Sequence, residues 1–315
     1  MAAYANAQLA NKDATRSTAL KLYTGEVIKA FREKNIALEL IKSRSISGGK
    51  TSQFIVTGAA KESDIQTHVR GTDVTPVLLA NDEVTITVDT RYVHSHFIDA
   101  LDEKLAQYEV RGELASQSGQ VLATKIDKDV FKMLAGAAPY TADKGVYSTT
   151  TIKPGMTKAG KVELTGYSAA ATAQAAGDLL VAGMYKGKAE LNKRNVTDVP
   201  SVVVSPVDYY NLVQSTRGVN SDYTSGNGGI DTGKIRQIAG FSVAWTNHLA
   251  DAGTPIIPKL VGMMFTKDVA GVVKAMDITS EANYIPEKLG HLLVSFYALG
   301  MGPLNPTGFI ALLDK

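Results

Sequence analysis

The sequence contains no cysteine, and this absence removes a large set of chemistries. Without thiols, the 315-residue chain forms no disulfide, thiolate zinc site, iron–sulfur cluster or cysteine nucleophile. An excess of one charge is also missing: 33 lysines and arginines balance 31 aspartates and glutamates, which leaves a formal net charge of +2. This balance excludes a general electrostatic attraction to nucleic acid, so we expect any DNA contact to be local.

Long hydrophobic runs are missing as well. The longest apolar segments, Leu260–Phe265 and Leu292–Leu299, are far shorter than the about 20 residues that a membrane-spanning helix needs, and they are typical of buried strands. The first eight residues contain no basic stretch followed by an apolar run, so we expect no secretory signal. With 44% hydrophobic and 20% charged residues, the composition is that of a globular protein, and the length predicts about two lobes.

Hydrophobic spacing in the first ninety residues predicts one helix followed by a hairpin. The helix is indicated by apolar residues at helical spacing, namely Leu20, Tyr23, Val27 and Phe31. β-branched residues predict strands at Phe54–Val56 and Val84–Val88. The polar segment between them is long enough to protrude as a hairpin tip, and a long two-stranded arm is marginally stable alone. Such an arm needs a neighbouring surface, which another subunit can supply.

The spacing from Ser95 to Leu134 predicts the longest helical region of the chain, divided into two helices near Tyr108. Pro139 and Pro154, together with several glycines, then mark a boundary between lobes.

Strands and helices alternate in the second lobe, which predicts an α/β arrangement. A helix is predicted over Ala169–Asn192 with Ser168 as its N-cap, and a strand over Ser201–Val204. Ser205 follows as an N-cap, with proline at the first helical position of the next helix.

The last third of the chain is predicted to contain mainly strands. A short helix is predicted over Lys234–Gly240 and a strand over Phe241–Trp245, and from Lys259 to the end strand-like apolar runs dominate.

One glycine-rich segment has to be weighed as a phosphate-binding loop. Residues Ser47–Thr51 resemble the end of such a loop, but the full motif requires glycine at position 44, where Arg44 stands. The better interpretation is a turn at the root of the hairpin, in which Gly48 and Gly49 adopt positive φ.

No other motif predicts a catalytic, cofactor or metal site. The five histidines form no ligand pair at helical spacing, although His94 and His96 are placed to share one face of a strand. A serine-nucleophile elbow is absent, and Gly300–Asn305 lacks the third glycine of a dinucleotide fingerprint, so we interpret it as a turn. These absences favour a protein that acts through its shape and not through catalysis.

Four segments resemble, in order and spacing, the major capsid proteins of T7-like podoviruses: Ser43–Phe54, Tyr108–Gly119, Ile235–Phe241 and His248–Leu249. The resemblance spans nearly the whole chain and implies the α+β capsid fold of the HK97 type. Its expected parts are an N-terminal arm at 1–45, an extended β-hairpin (the E-loop) at 46–90, a peripheral domain with a long spine helix at 91–139, an α/β axial domain at 140–258, and a return to the peripheral domain at 259–315.

The resemblance also implies partners and a location. Hexamers and pentamers of the subunit would form an icosahedral shell around double-stranded DNA, assembled in the host cytoplasm with a scaffolding protein and a portal and found in the virion. DNA contact would be weak and non-specific, because a shell should line DNA without gripping it. No cofactor, metal or membrane is expected. The expected subunit contacts lie in the hairpin, at Gly48, Gly49, Lys61, Glu62, Asp64, His68 and Arg70.

Two other functions remain open at this point. The shell of an encapsulin-like nanocompartment would share the fold but enclose protein cargo, and a nucleotide-binding enzyme would use Ser47–Thr51. Some shells of this fold also crosslink a hairpin lysine to an asparagine of a neighbour. Lys61 and either Asn283 or Asn305 would be the candidates, but we predict that no crosslink forms.

Overall fold

The structure is a computed structural model that describes residues 23–24, 26–32, 35–57, 64–74, 76, 81–105, 110–136, 156–157, 159–215, 228–229, 234–235, 237–251, 254–255 and 259–315. The helices are α1 (residues 23–24 and 26–32), α2 (Ala37–Leu40), α3 (Ala100–Leu105), α4 (Val110–Ala135), α5 (Ala173–Lys193) and α6 (Pro206–Val213). The strands of the first half are β1 (Lys42–Ser45), β2 (Thr51–Thr57), β3 (Asn81–Thr87), β4 (Arg91–Asp99), β5 (Gly160–Leu164) and β6 (Ser201–Val204). Those of the second half are β7 (Gly228–Gly229), β8 (Lys234–Ile235), β9 (Gln237–Ile238), β10 (Phe241–Trp245), β11 (Ala250–Asp251), β12 (Thr254–Pro255), β13 (Leu260–Phe265), β14 (Ala270–Ile285), β15 (Gly290–Pro303) and β16 (Phe309–Asp314).

A four-stranded sheet forms the first layer, in the order β1-β14-β15-β4. Its centre is the long antiparallel pair β14–β15, joined by a short turn at Pro286–Lys288, and β1 pairs with β14 in parallel. Successive side chains of a strand point to opposite faces. One face of β15 therefore turns Leu293, Ser295 and Tyr297 inward, and all three are buried.

A six-stranded sheet forms the second layer, in the order β5-β16-β13-β6-β10-β9. The pair β6–β10 is parallel and β5 pairs with β16 in parallel, whereas β13 is antiparallel to both of its neighbours. Helix α5 packs on this sheet through Gly183 and Gly187. A Cβ atom at Gly183 would collide with the side chain of Leu164, and one at Gly187 with that of Met264. The predicted mixture of strands and helices in this lobe is confirmed.

Helix α4, the spine helix, contributes to the core that joins the two sheets. Ile126, Phe131 and Leu134 are buried against a cluster that includes side chains of both sheets, among them Phe265 and Tyr297. Near its start, Gly119 allows α1 to cross closely, because a Cβ atom there would lie 2.8 Å from the Cβ of Ala30. None of the described helices is long and apolar enough to span a membrane.

Several local predictions are confirmed. Ser205 caps α6 by accepting a hydrogen bond from the backbone N–H of Asp208, with Pro206 in the first turn. The predicted hairpin strands are β2 and β3, and the predicted strands at 201–204 and 241–245 are β6 and β10. The first apolar helix lies where it was expected at Val27 and Phe31, both buried, whereas Leu20 lies outside the described residues.

Four other local predictions are wrong. The helical spacing from Ser95 begins in strand β4, and helices start only at Ala100. Helix α5 starts at Ala173, because the side chain of Thr172 caps it by accepting from the N–H of Ala175, and the predicted cap Ser168 instead donates to the carboxylate of Asp314. In place of the predicted helix, residues 234–235 and 237–238 form the short strands β8 and β9, and residues 300–303 continue strand β15 instead of forming a turn.

Candidate assembly site

The hairpin β2–β3 is a two-stranded ladder separate from both larger sheets. Its register is regular, with Thr51 opposite Thr87 and Thr57 opposite Asn81. The two faces differ because side chains alternate along each strand. Phe54 and Ile86 point to the four-stranded sheet and are buried, whereas Ile55 points away from it and is 81% exposed.

The root of the hairpin is held by a small apolar cluster. Phe54 and Ile86 pack with Val273 of β14 and with Leu304, which follows β15. Burial of each such side chain contributes roughly 1.5–3 kcal/mol. The root is therefore anchored to its own subunit by apolar packing.

Arg44 holds the hairpin from the neighbouring strand β1. Its Nη1 donates to the backbone oxygen of Gln53 at 3.0 Å, and its guanidinium lies over the ring of Phe54, 4.8 Å from the ring centre. Arg44, which stands where the phosphate-loop motif requires glycine, thus has a structural role in holding the hairpin. Lys50 pairs with Asp89, and the chain enters a strand at Thr51 where a phosphate-binding loop needs a helix.

The turn before the hairpin confirms half of the glycine prediction. Gly49 has a φ of +88°, a conformation that favours glycine because a side chain would be strained. Gly48 has no positive φ, and a Cβ atom added to either glycine would meet no other atom within 4 Å. Of the two positions, only 49 has a backbone conformation that requires glycine.

The described part of the segment between the strands is largely exposed. Gly71, with a φ of +87°, lies in a small turn in which Thr72 donates from its backbone N–H and its hydroxyl to the oxygen of Val69. His68 and Arg70 are exposed, and Asp64 is partly buried. Lys61 and Glu62 lie outside the described residues.

Three apolar side chains of this segment are exposed to solvent. Ile65 is 80% exposed, and Val69 and Val74 are also largely exposed. With Ile55 included, the hairpin and the segment that connects its strands therefore have four exposed apolar side chains. The sequence analysis selected the charged residues of the segment and missed these side chains, although β-branched residues in a polar segment were a visible signal.

A second polar site, at the spine helix, was also missed. The carboxylate of Asp127 is fully buried and accepts four hydrogen bonds. Three come from residues 35–37, where α2 begins: the side chain of Asn35 at 2.8 Å and the backbone N–H groups of Ile36 and Ala37 at 3.2 and 3.1 Å. The fourth comes from Nδ1 of His248 at 2.8 Å. Asp127 therefore caps α2 from outside and joins three distant segments.

The histidines of strand β4 share a face, as predicted. The rings of His94 and His96 are 4.5 Å apart, and Nδ1 of His94 lies 3.2 Å from the hydroxyl of Ser118. Burial lowers the pKa of His96, and the neighbouring His94 lowers it further. No group of three potential metal ligands occurs in the described parts of the chain.

The fold defines the class of protein. The capsid of the cyanophage P-SCSP1u superposes with a TM-score of 0.73 at 25% identity, covering 89% of this chain and 88% of that one. The mature capsid of bacteriophage PhiM1 gives a TM-score of 0.69 at 18% identity over 89% and 87% of the two chains. A long hairpin beside a spine helix and two sheets is the HK97-type architecture of phage capsid proteins.

The sequence comparison identifies the family. Residues 63–313 match the Gp10A-like major capsid protein family, so the chain belongs to that family. The major capsid protein of Escherichia phage T7 is 26% identical, over 94% of this chain and 91% of the relative. The major capsid protein of Enterobacteria phage T3 is 24% identical over 91% and 88%. The chain is a major capsid protein of a tailed phage and forms the shell of its virion.

A virus-like particle from Pyrococcus furiosus shares the fold, with a TM-score of 0.58 at 11% identity. This likeness concerns the fold alone. Family membership therefore favours the phage shell over the nanocompartment alternative.

Proposed function

We propose that the β2–β3 hairpin is the arm with which each subunit lies over its neighbour in hexamers and pentamers of the shell. The observation that carries this proposal is the exposed apolar surface of the hairpin, at Ile55, Ile65, Val69 and Val74. Apolar residues concentrated on a protruding element are typical of a protein interface.

The energetics of the arm support an external partner. A two-stranded ladder without a covering layer is marginally stable in water. The cluster around Phe54 and Ile86 stabilises the root, and the side chain of Ile55 points away from this cluster and is exposed. A neighbouring subunit is a suitable partner because a shell protein presents the same complementary surfaces in every copy.

We also propose the charged residues of the hairpin as polar contacts around this apolar surface. His68 and Arg70 are exposed there, and Lys61, Glu62 and Asp64 lie in the same segment of the sequence. Charged groups at the rim of an interface affect association rate and specificity more than affinity.

The remaining partners of the proposal are a scaffolding protein, a portal and the packaged double-stranded DNA. The net charge of +2 supports a weak DNA contact, because affinity for nucleic acid grows with the number of phosphates neutralised. A purely structural role is part of the proposal, because the residues considered as a phosphate-binding loop form the root of the hairpin, where Lys50 is paired with Asp89.

The test is assembly of a hairpin variant. We expect the double variant Ile55→Ser/Ile65→Ser to leave the unfolding midpoint of unassembled subunits unchanged and to reduce the yield of closed shells at least tenfold in negative-stain electron microscopy. Val199→Ser is the matched control, because Val199 is 70% exposed but lies outside the hairpin. Closed shells from the double variant at wild-type yield would refute the proposal.

A further inference from the structure

The direction of the hairpin is not set by continuous sheet pairing. The structure gives two backbone hydrogen bonds at its root. The bond from Val88 to the oxygen of Lys50 continues the ladder itself, and the bond from Ile46 to the oxygen of Lys274 joins the preceding turn to β14. The contacts that remain to fix the direction are side-chain and packing contacts at the root.

Below the hairpin, strand β3 crosses three glycines of β14 and β15. Gly271 of β14 is paired with Gly302 of β15, and Gly300 lies two residues before Gly302 in β15. A Cβ atom at Gly302 would lie 3.1 Å from Cγ1 of Ile86, and one at Gly271 would lie 3.2 Å from Cδ1 of the same side chain. Both obstacles are side-chain atoms, which can move.

Gly300 differs from these two glycines because the nearest atoms that an added Cβ atom would meet belong to the backbone. A Cβ atom there would lie 2.9 Å from the carbonyl carbon of Thr87 and still closer to its oxygen. Ordinary contact begins at 3.4 Å, so alanine at this position would displace the base of β3 by at least about 0.5 Å. No side-chain rearrangement relieves this contact.

The other strand of the hairpin, β2, is held by Arg44, which lies in β1. Its hydrogen bond to the oxygen of Gln53 and its stacking on Phe54 hold β2, while Gly300 sets how closely β3 approaches the sheet. The two contacts act on different strands of the same ladder. Together they define its orientation at the root.

We infer that Arg44 and Gly300 are positioning residues for shell assembly, which fix the direction in which the hairpin leaves its own subunit. The inference rests on the proposed function of the hairpin as the inter-subunit arm. Strands of seven residues extend about 20 Å at about 3.3 Å per residue, so a tilt of about 5° at the root moves the far end by about 2 Å. The hairpin meets a neighbour at that end, where a 2 Å shift disrupts packing.

The first experiment measures direction in the unassembled subunit. Because the chain has no cysteine, Gln66→Cys and Val199→Cys give two unique spin-label positions, both at exposed residues. We expect Gly300→Ala and Arg44→Lys each to shift the mean label distance by about 2 Å or to broaden its distribution. Gly48→Ala is the control, because that position is open and has no positive φ. An unchanged distance distribution in both variants would overturn the inference.

The second experiment measures the shells. We expect the same two variants to keep the wild-type unfolding midpoint within a few degrees and to yield at least fivefold fewer shells of uniform diameter, with open or irregular particles in their place. Uniform shells at wild-type yield from both variants would overturn the inference. If Gly300→Ala does not fold, Arg44→Lys decides by the same criteria.

Failure of this inference is distinguishable from failure of the proposed function. Normal assembly of Ile55→Ser/Ile65→Ser would refute the hairpin as an arm. Defective assembly of that variant, together with normal assembly of Arg44→Lys and Gly300→Ala, would keep the arm and refute only the positioning role.

Discussion

Replacement of Asp127 by alanine is expected to destabilise the subunit strongly. The carboxylate is 0% exposed and accepts hydrogen bonds from the side chains of Asn35 and His248 and from two backbone N–H groups at the start of α2. The residue before α2, Ile36, provides no side-chain cap. Asp127 therefore accepts from the N–H of Ala37, the first residue of the helix, and the side chain of Asn35 accepts from the N–H of Leu38 at 3.1 Å.

The expected magnitude follows from the donors left behind. A buried donor without an acceptor costs about 1–3 kcal/mol, and removal of one partner from a buried charged network costs about 3–5 kcal/mol. The side chain of His248 is 18% exposed, so water reaches part of the vacated space and the four losses are not additive. We expect the free energy of unfolding to fall by about 3–5 kcal/mol for Asp127→Ala and by about half as much for Asp127→Asn, which keeps one acceptor oxygen.

The assay is urea unfolding of unassembled subunits followed by far-ultraviolet circular dichroism. Asp268→Asn is the control, because Asp268 pairs with Lys42 at 3.4 Å with both side chains more than half exposed. Such a surface pair contributes about 0–1 kcal/mol. A loss below about 1 kcal/mol for Asp127→Ala would show that the network does not hold the three segments together.

Three further outcomes are expected. Gly49→Val should lower the free energy of unfolding by about 1–2 kcal/mol, because position 49 has a φ of +88°, and should reduce the yield of shells. Gly48→Val should do neither, and equal yields of sedimenting shells from the two variants would contradict this prediction. The pKa of Asp314 is lowered, chiefly by the hydrogen bond from the Ser168 hydroxyl, so its contribution to stability is present above the unfolded pKa and lost as pH falls through the lowered folded value. Ser168→Ala should raise that pKa in a carboxyl NMR titration, and an unchanged value would refute the assignment. Mature particles boiled in detergent should run as monomers, since we predict no crosslink, and a covalent ladder on the gel would contradict this.

Local signals in the sequence predict the elements that depend on neighbouring residues. The cap and proline at Ser205–Pro206 mark the start of a helix wherever they occur, and the alternation in Val84–Val88 marks a strand. The helix prediction for 234–240 is wrong because short apolar runs fit a helix and a strand equally well. The overall architecture came from the resemblance of collinear segments and not from these local signals.

The contacts at the candidate site could not be predicted because they join residues far apart in the sequence. Asp127 and His248 carry no local signature, since a carboxylate in a helix of mixed charge is normally exposed. The glycines Gly300 and Gly302 suggest a turn in the sequence, because glycine in a strand gives no sign of what crosses it. Only the folded chain brings Thr87 over Gly300.

The size of the hairpin contact indicates how assembly proceeds. Burial of Ile55 and Ile65 against a neighbour contributes about 1.5–3 kcal/mol each, or about 3–6 kcal/mol together before the cost of association. An association free energy of about 4 kcal/mol corresponds to a dissociation constant of about 1 mM. At micromolar concentration this contact alone does not hold two subunits together, so several contacts have to close at once. We therefore expect sedimentation to resolve monomers and closed shells, and a dominant population of stable dimers would refute this account of the arm.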